Sequence, residues 1–360
     1  MADLLPRLAA DRCVHSRIAQ AQCRACVDAC PTGAWVIDDE RLGIDPGRCD
    51  GCDLCVPVCP TGALAPRFRP AVRRTRHGAF AFAACHFSDL PDLAELDDLT
   101  DGDLPLVACL NSLGILDLLR LVHAGIDQLL IAKGDCSRCP RGQGEGLGHR
   151  LAAVNQLLAA RGLPPLAHQT LGAQAWACTW QAAVDPDNRP TLDRRAFFRS
   201  AMAVPLRRVS EALDQAEEQD HRPGRLLPPA GPGDLVPLVL ELDTLLCSGC
   251  DACLRICPQD VIHLERRDGR AQAYVIAAEN CNGCGLCVDV CSTQAIRIQR
   301  WAPLPQPRIP LIEQRCRSCG VTFHLPQGEI PTRDRRATAP SRCPICFQVD
   351  HQRHLYQVLA

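Results

Sequence analysis

Apolar positions in residues 78–180 follow two spacings. LPLVACL (104–110) and QLLIAK (128–133) are short apolar runs, the pattern of buried strands. LGILDLLRLVHAG (113–125) and HRLAAVNQLLAARG (149–162) repeat at three and four residues, the pattern of amphipathic helices that end at Gly125 and Gly162. Strand, helix, strand, helix in that order predicts a parallel sheet. Residues 190–220 read as helical, with Thr191 as N-cap and Pro205 as an interruption. Outside this region the pattern changes to four brief alternating segments: AWVID (34–38), ALAP (63–66), VIHLE (261–265) and AIRIQ (295–299). Each predicts a small strand, and each follows a group of cysteines.

Composition sharpens that picture through its 25 cysteines in 360 residues. A disulfide scaffold is the usual use of so many in a short secreted chain, but this chain is long. Its first residues, MADLLPRLAADRC, have neither a basic start nor a sustained apolar core. No run approaches the ~20 apolar residues of a membrane-spanning helix. The net charge of −2 gives no bulk attraction to nucleic acid or to a membrane surface. The expectation is a soluble, cytoplasmic metalloprotein with protein partners, no nucleic acid and no direct membrane insertion.

The cysteines repeat one pattern four times, from Cys23, Cys49, Cys247 and Cys281, and three of the repeats carry the full C-x2-C-x2-C-x3-C run. Two intervening residues let successive sulfurs converge from one turn of backbone, and thiolate is the softest anionic ligand a protein offers to iron. Gly51, Gly249, Gly283 and Gly285 permit tight loops, and Pro31, Pro60 and Pro258 follow the last cysteine of their runs. Zinc, or no metal, is the alternative that the paired motif makes improbable.

These segments closely resemble the bacterial two-cluster ferredoxin family, twice over. The resemblance implies that the fourth cysteine of each run serves the other cluster. One cluster would take Cys247, Cys250, Cys253 and Cys291, and its neighbour Cys281, Cys284, Cys287 and Cys257. In the first pair, one cluster would take Cys49, Cys52, Cys55 and Cys30. The other has Cys23, Cys26 and Cys59, but the family's first position falls on Gln20. Cys13, ten residues before Cys23, is the favoured replacement; a three-iron cluster or a non-cysteine ligand stays open. Ser292 replaces the proline that would follow Cys291, with every thiol intact.

The middle of the chain carries Cys85, Cys109, Cys136, Cys139 and Cys178. Cys109, Cys136 and Cys139 follow predicted strands, and ligands in parallel α/β folds gather at strand carboxyl ends. This segment is similar to the iron–sulfur (delta) subunit of methyl-viologen-reducing hydrogenases. That likeness implies a [2Fe–2S] or other cluster on Cys85, Cys109, Cys136 and Cys139, although HFSDLPD after Cys85 lacks that family's second nearby cysteine. An inert spacer or a disulfide-forming C-x-x-C is the alternative. RGQGEGLGH, from Arg141, reads as a loop rather than a phosphate site, since it does not follow directly on a strand. LDRRAFFRSA, from Leu192, resembles a twin-arginine signal but is internal, and reads as a helix start.

The tail pairs Cys316-x2-Cys319 with Cys343-x2-Cys346 and resembles a zinc ribbon, with zinc the first expectation and a single iron the second. His324, His351 and His354 read as surface residues.

The expected fold is an α+β multidomain chain. It would divide into a first dicluster ferredoxin domain (1–70), a cysteine-containing α/β domain (78–180), a helical segment with a Pro/Gly linker (181–234), a second dicluster ferredoxin domain (235–300) and a zinc-ribbon-like tail (311–360). No nucleophile elbow, metalloprotease helix or phosphate loop stands out. Four [4Fe–4S] clusters with closed coordination imply one-electron transfer, so a catalytic residue is not assigned. The family resemblances imply an electron-relay subunit of an oxidoreductase complex, beside a molybdopterin enzyme, a hydrogenase or a heterodisulfide-reductase-like assembly. An oxidoreductase with its own flavin, and a non-enzymatic redox sensor or assembly factor, are the alternatives.

Overall fold

The computed structural model describes residues 5–37, 42–67, 69–76, 78–88, 105–139, 141, 146–184, 221–327 and 342–347. The helix expected over 190–220, the Arg194–Arg195 motif, most of the glycine-rich loop after Arg141, His351 and His354 lie outside them. The chain divides into two compact units, one of residues 1–19 and 23–228, the other of 20–22 and 229–360.

The first unit opens with β1 (Arg7–Leu8), two 3-10 turns that flank Cys13, and α1 (Ala25–Ala29). Next come β2 (Trp35–Ile37), β3 (Leu42–Ile44) and β4 (Leu64–Ala65). β2 and β3 form an antiparallel hairpin, and β4 returns to pair antiparallel with β1. The module has almost no apolar core without its sulfurs: Cys13, Cys26 and Cys55 are buried among Trp35, Leu42, Ala63 and Leu64.

The α/β region of the same unit consists of β5 (Ala71–Thr75), β6 (Gly78–Cys85), β7 (Leu106–Val107), α2 (Ile115–His123), β8 (Gln128–Ala132), α3 (Gly146–Ala159), β9 (Ala167–Thr170) and α4 (Ala173–Val184). β6 pairs parallel with β7 and β8, and β8 parallel with β9. The sheet is parallel as the alternation of elements predicts, but the two expected strands, β7 and β8, lie on either side of β6, which does not stand out in the sequence, and β5 adds an antiparallel edge. The basic segment Ala71–Thr75 supplies this edge strand, with Ala71 and Val72 paired to Phe82 and Ala81. α2 runs from Ile115 to His123, and Gly125 takes φ 75, the left-handed conformation that ends a helix. α4 lays Trp176 and Trp180 edge-on to Phe82, with centroids at 5.9 and 5.2 Å. The Trp176 indole N–H donates to the Leu130 carbonyl at 3.1 Å.

The second unit repeats the topology of the first module with longer strands. β10 (Leu235–Leu242) leads to α5 (Ala252–Ile256) and the hairpin β11 (Ile262–Arg267) and β12 (Arg270–Ile276). α6 (Leu286–Asp289) and β13 (Ile296–Pro303) follow, and β13 pairs antiparallel with β10 along its whole length. The proline-rich stretch 301–310 supplies the end of β13 and the start of β14 (Arg308–Arg315). β14 pairs with β12 on one side and with β15 (Thr322–Pro326) on the other. The tail strands thus extend the module's own sheet, in the order β11-β12-β14-β15.

Trp176→Ala removes the largest fully buried side chain of the α/β core. It is expected to destabilise the first unit by about 3–5 kcal/mol, measured by denaturant unfolding.

Candidate metal and cluster sites

The local backbone explains why three runs make one kind of loop and the first does not. In C-x-G-C-x-x-C the third and fifth positions are left-handed: Gly51 and Asp53 (φ 67 and 56), Gly249 and Asp251 (φ 69 and 59), and Gly283 and Gly285 (φ 77 and 84). This double reversal turns three sulfurs to one side. The first run has Arg24 at the fifth position with φ −124, and no glycine at the third. Its chain instead winds through the 3-10 turns around Cys13. Ser16 Oγ donates to the Cys13 carbonyl at 2.7 Å, and His15 Nε2 lies 2.8 Å from the Cys23 carbonyl.

Cys13, Cys23, Cys26 and Cys59 line one cavity, walled by Leu42, Leu64 and Ala63. Topology gives the same placement. Cys13 stands five residues beyond the end of β1, as Cys247 stands five beyond the end of β10. The first two sulfur positions are simply separated by a longer excursion.

The thiols of the two runs in each module lie close enough to raise one another's pKa. Burial pushes Cys26 up to about 12, and Cys59, Cys23 and Cys13 add to it. Burial raises Cys49, to which Cys30 contributes, and pushes Cys52 and Cys55 up to about 12. Burial likewise takes Cys247 to about 11 and Cys253 to about 12, and both also feel Cys250 and Cys291. Cys281 rises to about 11 by burial, helped by Cys284 and Cys257, and Cys287 rises further beside the same thiols. In each module, the fourth cysteine of one run therefore lies near thiols of the other. Burial of this order keeps the raised thiols protonated at neutral pH, so a bound metal must displace their protons.

The fourth cysteines also receive the hydrogen bonds expected of anionic sulfur. The Ala34 amide donates to Cys30 Sγ at 3.3 Å, Val261 to Cys257 at 3.5 Å and Ala295 to Cys291 at 3.3 Å. Thr32, Thr61 and Thr293 hydroxyls lie 3.5–3.7 Å from Cys30, Cys59 and Cys291. Four soft sulfurs, apolar walls and inward amides fit an iron–sulfur cluster.

Two parts of the chain match a common domain. The family model of the 4Fe-4S dicluster domain matches residues 8–63 and again residues 246–295. No curated protein matches the chain. The first match includes Cys13. The two dicluster domains make this an iron–sulfur chain, and [4Fe–4S] clusters are the cofactors such domains hold.

Between the dicluster domains, Cys85, Cys109 and the C-x-x-C pair follow β6, β7 and β8 at their carboxyl ends. Burial raises Cys109, and Cys85 and Cys139 add to it. The structure thus gathers Cys85, Cys109 and Cys139, while Cys136 is exposed and Cys178 is exposed on α4. The Phe87 amide donates to Cys85 Sγ at 3.4 Å.

In the tail, the sulfurs of Cys316, Cys319, Cys343 and Cys346 all lie within 4.8 Å of one another, and those of Cys319 and Cys343 are 3.8 Å apart. Four thiolates at the ~2.3 Å of a zinc–sulfur bond form a tetrahedron with an edge of about 3.8 Å. The group can therefore hold a single metal ion. The Cys343 amide donates to Cys316 Sγ at 3.2 Å, and backbone donors, that one foremost, lower Cys316 to about 6.

One contact was not legible in the sequence. His324, expected at the surface, is buried; its Nε2 lies 2.9 Å from Asp251 Oδ1 and 3.0 Å from the Tyr274 hydroxyl. Tyr274 donates to the same carboxylate oxygen at 2.6 Å. Burial works to raise Asp251, but the His324 and Tyr274 hydrogen bonds outweigh it and hold it below the usual carboxylate range. β15 is thereby fastened to the cysteine loop. A side chain at Gly249 would bring its Cβ within 1.9 Å of the His324 carbonyl oxygen. The aspartate between Cys250 and Cys253 was the available signal, since a left-handed aspartate needs a partner that the local sequence does not name.

Gly249→Ala is expected to destabilise the second unit by more than the ~1–2 kcal/mol of a left-handed alanine alone, because backbone must also move. Thermal unfolding against a control such as Gly269→Ala, which has φ 78 and open space around it, isolates the difference.

Proposed function

We propose that this chain is a one-electron relay whose two dicluster domains carry four [4Fe–4S] clusters. The single observation that carries the reading is the match to the 4Fe-4S dicluster domain twice, at residues 8–63 and 246–295, with Cys13, Cys23, Cys26 and Cys59 lining one cavity in the first. The clusters are assigned to Cys13, Cys23, Cys26 and Cys59; to Cys49, Cys52, Cys55 and Cys30; to Cys247, Cys250, Cys253 and Cys291; and to Cys281, Cys284, Cys287 and Cys257. The central cysteines Cys85, Cys109 and Cys139, with Cys136, are assigned a [2Fe–2S] or related cluster. Zinc is assigned to Cys316, Cys319, Cys343 and Cys346, whose sulfur spacing supports a single tetrahedral ion.

When bound, such clusters supply reversible one-electron redox chemistry at fully ligated iron. The protein's residues set the conditions. Burial removes water from the sulfurs, and the Ala34, Val261 and Ala295 amides stabilise added negative charge on their cysteines. Closed coordination leaves no place for a substrate, so donor and acceptor are other proteins. The chain is best read as the relay subunit of a cytoplasmic oxidoreductase complex, with a molybdopterin enzyme, a hydrogenase or a heterodisulfide-reductase-like assembly as the partner classes. Among the described residues no helix is long and apolar enough to cross a membrane.

Anaerobically purified protein is expected to hold about sixteen irons in cubane clusters, plus central iron and tail zinc, by metal and sulfide analysis. A preparation with zinc alone contradicts the proposal. Cys13→Ala is expected to remove one cubane signal in paramagnetic resonance and lower the iron content; unchanged cubane signals would exclude Cys13 as a ligand.

A further inference from the structure

We propose that Arg141 is an electrostatic bridge between two redox sites of the first unit: the quartet Cys30, Cys49, Cys52 and Cys55, and the central group around Cys109. This inference rests on the reading of both as cluster sites.

The Arg141 side chain is only 10% exposed and reaches the ligand loops of both sites. Its Nε donates to Asp50 Oδ2 at 2.9 Å and its Nη2 to the Asp50 carbonyl at 3.1 Å. Asp50 lies between Cys49 and Cys52 and also accepts the Cys52 amide at 3.1 Å. The remaining nitrogen, Nη1, donates to the carbonyl of Ala108, the residue before Cys109. The guanidinium carbon stands 5.3 Å from the centre of the Phe87 ring, and Phe87 is the residue whose amide donates to Cys85 Sγ. One cation therefore touches the loops that carry Cys49, Cys52, Cys109 and Cys85.

A structural ion pair alone would not need this arrangement. Arg141 divides its donors between two loops, and on the central side its partner is a neutral carbonyl. Its charge is thus only partly offset there.

Reduction adds one negative charge to either site. A fixed cation beside both favours the reduced form of both, and the low polarity of the surroundings strengthens the effect. With clusters bound at both sites, an electron passed from the quartet to the central site would oxidise the first and reduce the second, with no bond broken and no proton moved. Because the same cation faces both ends of this step, it raises both potentials together and leaves the step between them close to level.

The test is a potentiometric titration of the full-length chain, purified anaerobically, followed by paramagnetic resonance with iron content measured in parallel. Arg141→Gln is expected to shift the midpoints of both sites to more negative values with iron unchanged, and Arg141→Lys to restore them towards wild type. Asp50→Asn removes the charge that offsets Arg141 and is expected to shift both midpoints in the positive direction; it decides the matter if the glutamine variant loses iron. Midpoints that stay put in these variants, or that move at one site only, overturn the bridge. A wild-type chain with no reducible central signal overturns the cluster reading of Cys85, Cys109 and Cys139, and the bridge with it.

Discussion

Three sulfurs can converge from one tight loop, but a cubane site needs four, and the rest of this molecule is arranged around that shortfall. In the proposed assignment each run lends its last cysteine to the opposite loop, so the two runs of a module face each other across a very small core. The module's strands exist to hold that crossing: β1 with β4 and β10 with β13 bring the ends of the module together. The intervening hairpins cover its side. The thiols are themselves much of the buried surface, as the company of Cys281 and Cys287 with Leu240, Ile262 and Ile296 shows. Without their ligands such modules have little to fold around, so metal binding and folding are one process.

The sequence reveals those parts that local patterns encode. The C-x-G-C-x-x-C loops, the four small strands, and β7, β8, α2 and α3 follow from spacing and periodicity, whereas β6 and β9, which complete the parallel sheet, do not stand out in the sequence. The placement of Cys13 follows less directly: its distance beyond a strand of only two residues is the clue, and so short a strand has no periodicity. What escaped the sequence depends on long-range polar contacts. His324 is separated from Asp251 by most of the second unit and meets it only because β14 and β15 join the module's sheet. The prolines of 301–310 do not interrupt the sheet: Pro303 ends one strand and Pro310 lies within the next.

Polar groups at the loops do different work on the two units. On the second, Tyr274 and His324 seat a tail strand against the ligand loop through one carboxylate, which ties the geometry of the Cys316 group to that of the Cys247 quartet. On the first, burial works to raise Asp50, but the hydrogen bond and charge of Arg141 outweigh it and keep the carboxylate ionised between two cysteines. The aspartate that follows the second cysteine, Asp53 or Asp251, is the same in backbone and different in partner: Arg67 supplies an amide at 3.3 Å to the former. Equivalent loops are thus given unlike electrostatic surroundings, the means by which a protein separates the potentials of like clusters.

On this account, electrons enter and leave the chain one at a time, with no substrate of its own. Rapid mixing of the anaerobic protein with a one-electron viologen reductant, then with a one-electron ferric acceptor, tests it directly when freeze-quenched samples are followed by paramagnetic resonance. Reduced-cluster signals that grow on the first mixing and vanish on the second, with the iron retained throughout, are the predicted result. A protein that shows no reducible signal, or that takes up electrons only when a bound organic cofactor is present, would contradict it.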